Sequence, residues 1–360
     1  MHATSTTTIN AHFSLGWPGF ALNADLTMPG KGITAIFGHS GSGKTTLLRC
    51  IAGLERAADG RLSVNGQRWQ DGDYWLPTSK RRLGFVFQQP SLFPHLSVLG
   101  NLRYGMRRAN GNRHRLEQAI ELFGIGPLLD RHPERLSGGE QSRVAIARAL
   151  AVDPQLMLMD EPMAALDHDR KAEILPYLER LHDELDLPVL YVSHAPDEVA
   201  RLADHLVVLE KGAVLASGPL AETLSRVDLP IRLGEDTGVV IAATIVERDG
   251  DWSLARAAFD GGSLWVRDNG LPIGHRTRLR ILARDVGLSQ QVHHDSSILN
   301  SLPAQVVESA PDVHPALLLV RLNVGRTTFV ARLTRRSASR LAVAPGQALW
   351  IQIKAVALIG

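Results

Sequence analysis

Cysteine is nearly absent from this chain. Its 360 residues hold one, Cys50, so no internal disulfide can brace the fold, and its place in a helical stretch suits a packed thiol rather than a reactive one. A surplus of one charge is missing too. Thirty-nine Lys and Arg stand against thirty-seven Asp and Glu, a net charge of +2, which removes bulk electrostatics as an argument for a nucleic-acid or anionic-membrane partner. No uninterrupted apolar run approaches the roughly 20 residues that cross a bilayer. The opening Met1-His2-Ala3-Thr4-Ser5-Thr6 has no charged leader followed by an apolar segment. These absences predict a cytoplasmic chain, and 360 residues of which 44% are hydrophobic suffice for two or three domains with a substantial core.

The chemistry that is present begins early. The apolar run Ile33-Thr34-Ala35-Ile36-Phe37 leads into Gly38-His39-Ser40-Gly41-Ser42-Gly43-Lys44-Thr45, which fits the phosphate-loop pattern between a strand and a helix. Glycines let successive N–H groups turn inward around a phosphate, Lys44 brings a mobile positive charge, and Thr45 offers a hydroxyl to Mg²⁺. The helix beginning at Thr46 points its positive end at the same anion.

From residue 30 to about 217 strand-like runs alternate with helical patterns, predicting an α/β layer with much parallel pairing. Strands are predicted over 83–87, 156–159 and 189–192, helices around 114–123, 139–151, 168–185 and 196–203, and a hairpin over 206–216 closed at Lys211-Gly212. Beyond about residue 236, short alternating strands and turns such as Asp268-Asn269-Gly270 predict a mainly β region. The stretch Val227 to Gly234 is the expected connection.

Two further constellations stand out. Leu156 to Met159 runs into Asp160-Glu161, placing two carboxylates at the end of a buried strand, where a phosphate-loop protein holds Mg²⁺ and polarises water. Leu136-Ser137-Gly138-Gly139-Glu140-Gln141 opens a helix with Ser137 as its cap and two glycines that permit close approach. With these residues, the chain over about 10–228 resembles the ABC ATPases, whose signature LSGGQ stands here as LSGGE. Gln88 matches the family's Q-loop glutamine, Ala164-Ala165-Leu166-Asp167 its D-loop, and His194 its switch histidine.

The resemblance implies a P-loop NTPase fold with a helical subdomain. It also implies a homodimer in which Ser137, Gly138 and Gly139 of one copy cover ATP held by Gly38, His39, Ser40, Gly41, Ser42, Gly43, Lys44, Thr45 and Thr46 of the other. Thr45, Gln88 and Asp160 would arrange Mg²⁺, Glu161 would activate water, and His194 would touch the γ-phosphate. Trp17 is the chosen ring for stacking on adenine, with Phe13 and Phe20 as rivals.

The tail narrows the family. Residues 291–360 resemble a small, all-β, OB-like molbindin-type domain (Mop/TOBE): Ser296-Ser297-Ile298-Leu299-Asn300-Ser301-Leu302 corresponds to its opening segment and Ile351-Gln352-Ile353-Lys354-Ala355 to its closing strand. Together with Leu92-Phe93-Pro94-His95 and Gly100 to Gly105, this resembles the molybdate importer ATPases. The implied division is an ATP-binding domain over 1–228, a linker and first β portion over 229–290, and an oxyanion domain over 291–360.

Ser297, Asn300 and Lys354 supply hydroxyl, amide and cation for an oxyanion, although Leu299 stands where the pattern commonly has arginine. The alternatives are a regulatory molybdate site and a purely structural β-barrel. The further implied partners are two permease subunits at the cytoplasmic face of the inner membrane and, indirectly, an external molybdate-binding protein, with no nucleic acid. The rival solutes are sulfate, tungstate and iron. Neither a second cassette nor a long coiled-coil insertion appears, which disfavours a non-transport ABC ATPase. The cluster Arg107-Arg108, Arg113, His114, Arg115 reads as a solvated helix edge, and His293-His294-Asp295 as a polar loop.

Overall fold

The computed structural model describes residues 7–108, 112–229, 231, 237–293, 295–354 and 356–359. Met1 to Thr6, residues 109–111, Pro230 and residues 232–234 of the expected connection, residues 235–236, His294, Ala355 and Gly360 lie outside the described residues. By its internal packing the chain divides into two compact units, 1–194 with 202–218, and 195–201 with 219–360.

The first unit opens with a hairpin of β1 (Thr8–Trp17) and β2 (Phe20–Pro29). Alternate residues Ile9, Ala11 and Phe13 are buried, the period of a strand with one face on the core. Along the chain the order continues β3 (Ile33–Phe37), α1 (Lys44–Ala52), β4 (Asp59–Val64), β5 (Gln67–Asp71), β6 (Tyr74–Trp75), β7 (Leu83–Val86), α2 (Val98–Arg108), α3 (Arg113–Leu122), α4 (Gly138–Leu150), β8 (Leu156–Asp160), α5 (His168–Glu184), β9 (Val189–Val192), α6 (Pro196–Leu202), which up to Arg201 belongs to the second unit, β10 (His205–Glu210) and β11 (Ala213–Pro219).

The strands form one sheet in the order β6-β5-β4-β1-β2-β11-β10-β3-β9-β8-β7. Its β10-β3-β9-β8-β7 half is parallel. β8 and β9 are buried along their whole length, as strands covered on both faces must be. The predicted parallel layer is therefore present. The antiparallel half built from β1, β2, β4, β5 and β6 was not foreseen, because its half-exposed, polar-interrupted strands lack a continuous apolar run. The helix Val98–Arg108 was not foreseen either, since Gly100 and Gly105 lower its intrinsic propensity. Lys211 and Gly212 both take positive φ, 48° and 80°, the two-residue turn that closes a twisted hairpin.

The second unit adds α7 (Leu220–Leu224) and then β12 (Gly238–Asp249), β13 (Leu254–Phe259), β14 (Gly262–Arg267), β15 (Arg276–Leu282), β16 (Val286–Ser289), β17 (Asn300–Pro311), β18 (Leu317–Val324), β19 (Thr327–Thr334), α8 (Arg335–Arg340), β20 (Ala348–Ile353) and β21 (Ala357–Ile359). Two five-stranded sheets, β14-β13-β12-β15-β21 and β16-β20-β17-β18-β19, enclose one apolar core that includes Ile245, Leu264, Leu279, Leu322, Phe329 and Ile351. The halves exchange strands. β16 joins the later sheet beside β20, and β21 returns to β15.

Candidate functional site

The parallel half of the sheet fixes where the chemistry gathers. β3 ends at Phe37, and the loop that follows is shaped by close approach: a side chain at Gly38 would run into the Leu209 carbonyl oxygen, while Gly41 and Gly43 take φ of 78° and 102°, open to glycine alone at little cost. The Gly212 N–H donates to the Ser42 carbonyl (3.0 Å), so the β10–β11 turn braces the loop from behind. That buttress was missed in the sequence, where Lys211-Gly212 signals only a hairpin.

A cavity of about 460 Å³ is lined by Ser40, Gly41, Gly43, Lys44, Thr45, Thr46, Gln88, Asp160, Glu161 and Phe20. Lys44 Nζ donates to the carbonyls of Gly38 (2.8 Å) and His39 (3.0 Å), which holds the ammonium at the mouth of the loop. Burial pushes its pKa down, while Glu161 and Asp160 oppose that shift. Thr45 Oγ1 donates to Asp160 Oδ1 (3.2 Å). Burial raises the Asp160 pKa, the Thr45 hydrogen bond lowers it, and Glu161 raises it further.

Glu161 occupies the left-handed region, φ 48°, a conformation a non-glycine residue adopts at a cost. Its N–H donates to the Val192 carbonyl (3.0 Å), tying the end of β8 to the end of β9, and Oε1 lies 3.3 Å from His194 Nδ1. The structure thus brings Glu161 and His194 together although His194 does not line the cavity. Ser42 Oγ is buried with no hydrogen-bond partner among the described residues. This orphaned hydroxyl, the Lys44 ammonium and the hydroxyl–carboxylate pair suit a phosphate with a hard cation.

Other predicted residues lie apart from this cavity. Ser137 caps α4 in a reciprocal box, accepting from Glu140 N (3.2 Å) while Glu140 Oε2 accepts from Ser137 N (2.7 Å), so the signature's terminal glutamate has a structural use. Ser137, Gly138 and Gly139 do not line the cavity of their own chain. Phe13 is wholly buried and cannot meet a base. Phe20 lines the cavity, and Trp17, 46% exposed, stacks on it with centroids 6.1 Å apart.

In the second unit Ser297 and Lys354 are exposed and Leu299 is 67% exposed. Asn300 is not: its Oδ1 accepts from Trp265 N (2.7 Å) and its Nδ2 donates to Trp265 O (2.9 Å). Its carboxamide therefore bridges β17 to β14. Among the described residues no group of three or more His, Cys, Asp or Glu side chains could hold a metal, and no helix is long and apolar enough to cross a membrane.

The ABC transporter family matches residues 22–164 and the TOBE domain family residues 296–360. The molybdenum import ATP-binding protein ModC of Methylococcus capsulatus is 64% identical over 352 residues, which cover 98% of this chain and 99% of that protein. The chain belongs to the family of molybdenum import ATP-binding proteins. Another member, ModC of Thiobacillus denitrificans, is also 64% identical and is matched over the whole of both chains. Among solved structures, a dimeric ATP-binding cassette in a post-hydrolysis state bound to ADP and Pi is 28% identical, with a TM-score of 0.51 over 59% of this chain and 98% of that one. An ABC ATPase fold followed by an OB-like β region agrees with the sequence-based expectation.

Proposed function

We propose that this chain is the ATP-hydrolysing subunit of a molybdate importer, working as a homodimer on two permease subunits at the cytoplasmic face of the membrane. The solute rests on the names of full-length relatives at 64% identity. The reaction rests on one observation: Lys44, the Thr45–Asp160 pair and Glu161 converge on a single cavity that the signature turn of the same chain does not reach.

Lys44 and the loop amides bind the β- and γ-phosphates, exchanging the lysine's carbonyl partners for phosphate oxygens. Thr45, Gln88 and Asp160 are the residues that would hold Mg²⁺, which when bound neutralises charge on the transferring phosphate. Glu161 accepts a proton from water, and His194, within reach of that carboxylate, orients toward the γ-phosphate. Trp17 packs on adenine. Cavity donors lie on one face of the phosphates, so Ser137, Gly138 and Gly139 of a second copy complete the other face. ATP then closes the dimer and hydrolysis releases it.

In the second unit, Ser297 and Lys354 provide an oxyanion with a hydroxyl and a cation, and Asn300 fixes the start of the strand between them through Trp265. Molybdate there would act as a feedback ligand if it binds the open and closed dimers unequally. The test is uptake of labelled molybdate by cells lacking the chain. Wild type should restore uptake and Glu161→Gln should not. Restored uptake of sulfate or iron in place of molybdate would reassign the solute.

A further inference from the structure

Gln88 reaches the phosphate cavity from the loop that follows β7, and the shape of that loop is set by two side chains outside the phosphate-binding machinery. Asn101, wholly buried on α2, accepts from Phe93 N (2.8 Å) and donates to the carbonyls of Phe93 (3.1 Å), Leu96 (3.2 Å) and Ser97 (3.1 Å). This knits the far half of the loop. The near half is held from α4. Arg148 donates through Nη2 to Pro90 O (3.2 Å) and through Nη1 to Ser91 O (3.0 Å), and its guanidinium lies 5.5 Å from the Phe93 ring centroid. Ser91 is in the left-handed region, φ 47°, so the backbone the arginine grips is not one the sequence would adopt unaided.

Arg148 sits in the last turn of the helix whose first turn carries Gly138 and Gly139. That same end of α4 lies against β7, where a side chain at Gly84 would strike the Ala149 carbonyl oxygen. A helix of this length moves as a rigid body, so its signature end and its arginine end cannot shift independently. We propose that Arg148 is a positioning residue that couples the signature helix to Gln88, fixing the glutamine loop through the carbonyls of Pro90 and Ser91. This rests on the reading of Gln88 as a participant in hydrolysis. Arginine is required because a planar fork reaches two carbonyls at once, which a lysine's point charge does not.

The test is a double-mutant cycle on the full-length chain with ATP and Mg²⁺. Arg148→Met keeps the packed stem and removes the donors. It should lower kcat about 10- to 100-fold, the scale of lost hydrogen bonds from a charged donor, while the ATP dissociation constant changes less than about threefold. In a Gln88→Ala background the same substitution should cost nothing further, because the loop then positions no functional group. A structural role would instead give losses that multiply, along with weakened ATP binding, and that outcome overturns the proposal. Should Arg148→Met not fold, Arg148→Lys must show the same selective fall in kcat, and wild-type turnover by it refutes the coupling. Gln88→Ala turning over at the wild-type rate would remove the reading of Gln88 and this proposal with it. A slow Gln88→Ala beside a normal Arg148→Met would sink the coupling alone.

Discussion

His194 Nδ1 lies 3.3 Å from Glu161 Oε1. The two residues come from the ends of adjacent parallel strands, β9 and β8, and the Glu161 N–H to Val192 carbonyl bond sets the spacing between those ends. One side chain is 62% exposed and the other 21%, so the histidine stands on the open side and the carboxylate behind it. On the proposed reading, a carboxylate held this way, on backbone of positive φ, would accept a proton from the attacking water.

Replacing the proposed base while keeping its shape should separate binding from chemistry. Glu161→Gln is expected to bind ATP with near wild-type affinity, to lose about 10²- to 10⁴-fold in kcat, and to accumulate as a closed dimer on size exclusion with ATP. Rapid phosphate release by this variant would remove Glu161 from the role of base.

Lys44→Ala removes the ammonium now shared between the Gly38 and His39 carbonyls. Calorimetry should register a loss of ATP affinity of at least about tenfold, the scale of a charge-assisted contact to phosphate. Undiminished binding would count against the phosphate-loop assignment.

Trp17→Ala should raise the ATP dissociation constant about tenfold, as expected for loss of one base-stacking ring. Phe20→Ala is the paired control, because Phe20 lines the cavity and Trp17 stacks upon it. If only Phe20→Ala weakens binding, the adenine partner is Phe20.

His182 gives a pH signature for stability. Its Nε2 is 2.8 Å from Asp204 Oδ2 and its Nδ1 2.8 Å from Asp183 Oδ1, and the Asp204 hydrogen bond, ahead of smaller contributions, lifts its pKa from 6.5 to about 9. The folded state holds the proton more tightly, so the stabilisation is fully present below about pH 6.5 and is lost as pH rises through about 9. With partial exposure discounted it is on the order of 1–2 kcal/mol. Melting curves of the wild type should fall between pH 7 and 10 relative to His182→Gln, and parallel curves would refute the clamp.

Asn300→Ala should cost about 1–3 kcal/mol of stability by stranding the Trp265 N–H and carbonyl, seen as a lower melting temperature of the full chain. An unchanged melt would return the carboxamide to ligand duty.

Most of the ATP site was legible because its parts are local. A glycine-rich run between a strand and a helix dictates its own backbone, and Asp160-Glu161 ends an apolar strand of the same parallel layer, so the sequence pattern already predicts that Lys44, Thr45, Asp160 and Glu161 share one cavity. The fold class followed from alternating strand and helix periods. The Gly212 brace on Ser42, the choice among Trp17, Phe20 and the buried Phe13, the Arg148 grip on Pro90 and Ser91, and the engagement of Asn300 by Trp265 could not be read. Each joins groups that are distant along the chain or alike in sequence pattern. Periodicity reports which face of an element is buried, whereas a contact between two elements depends on how the sheets and helices pack, and only the folded chain specifies that.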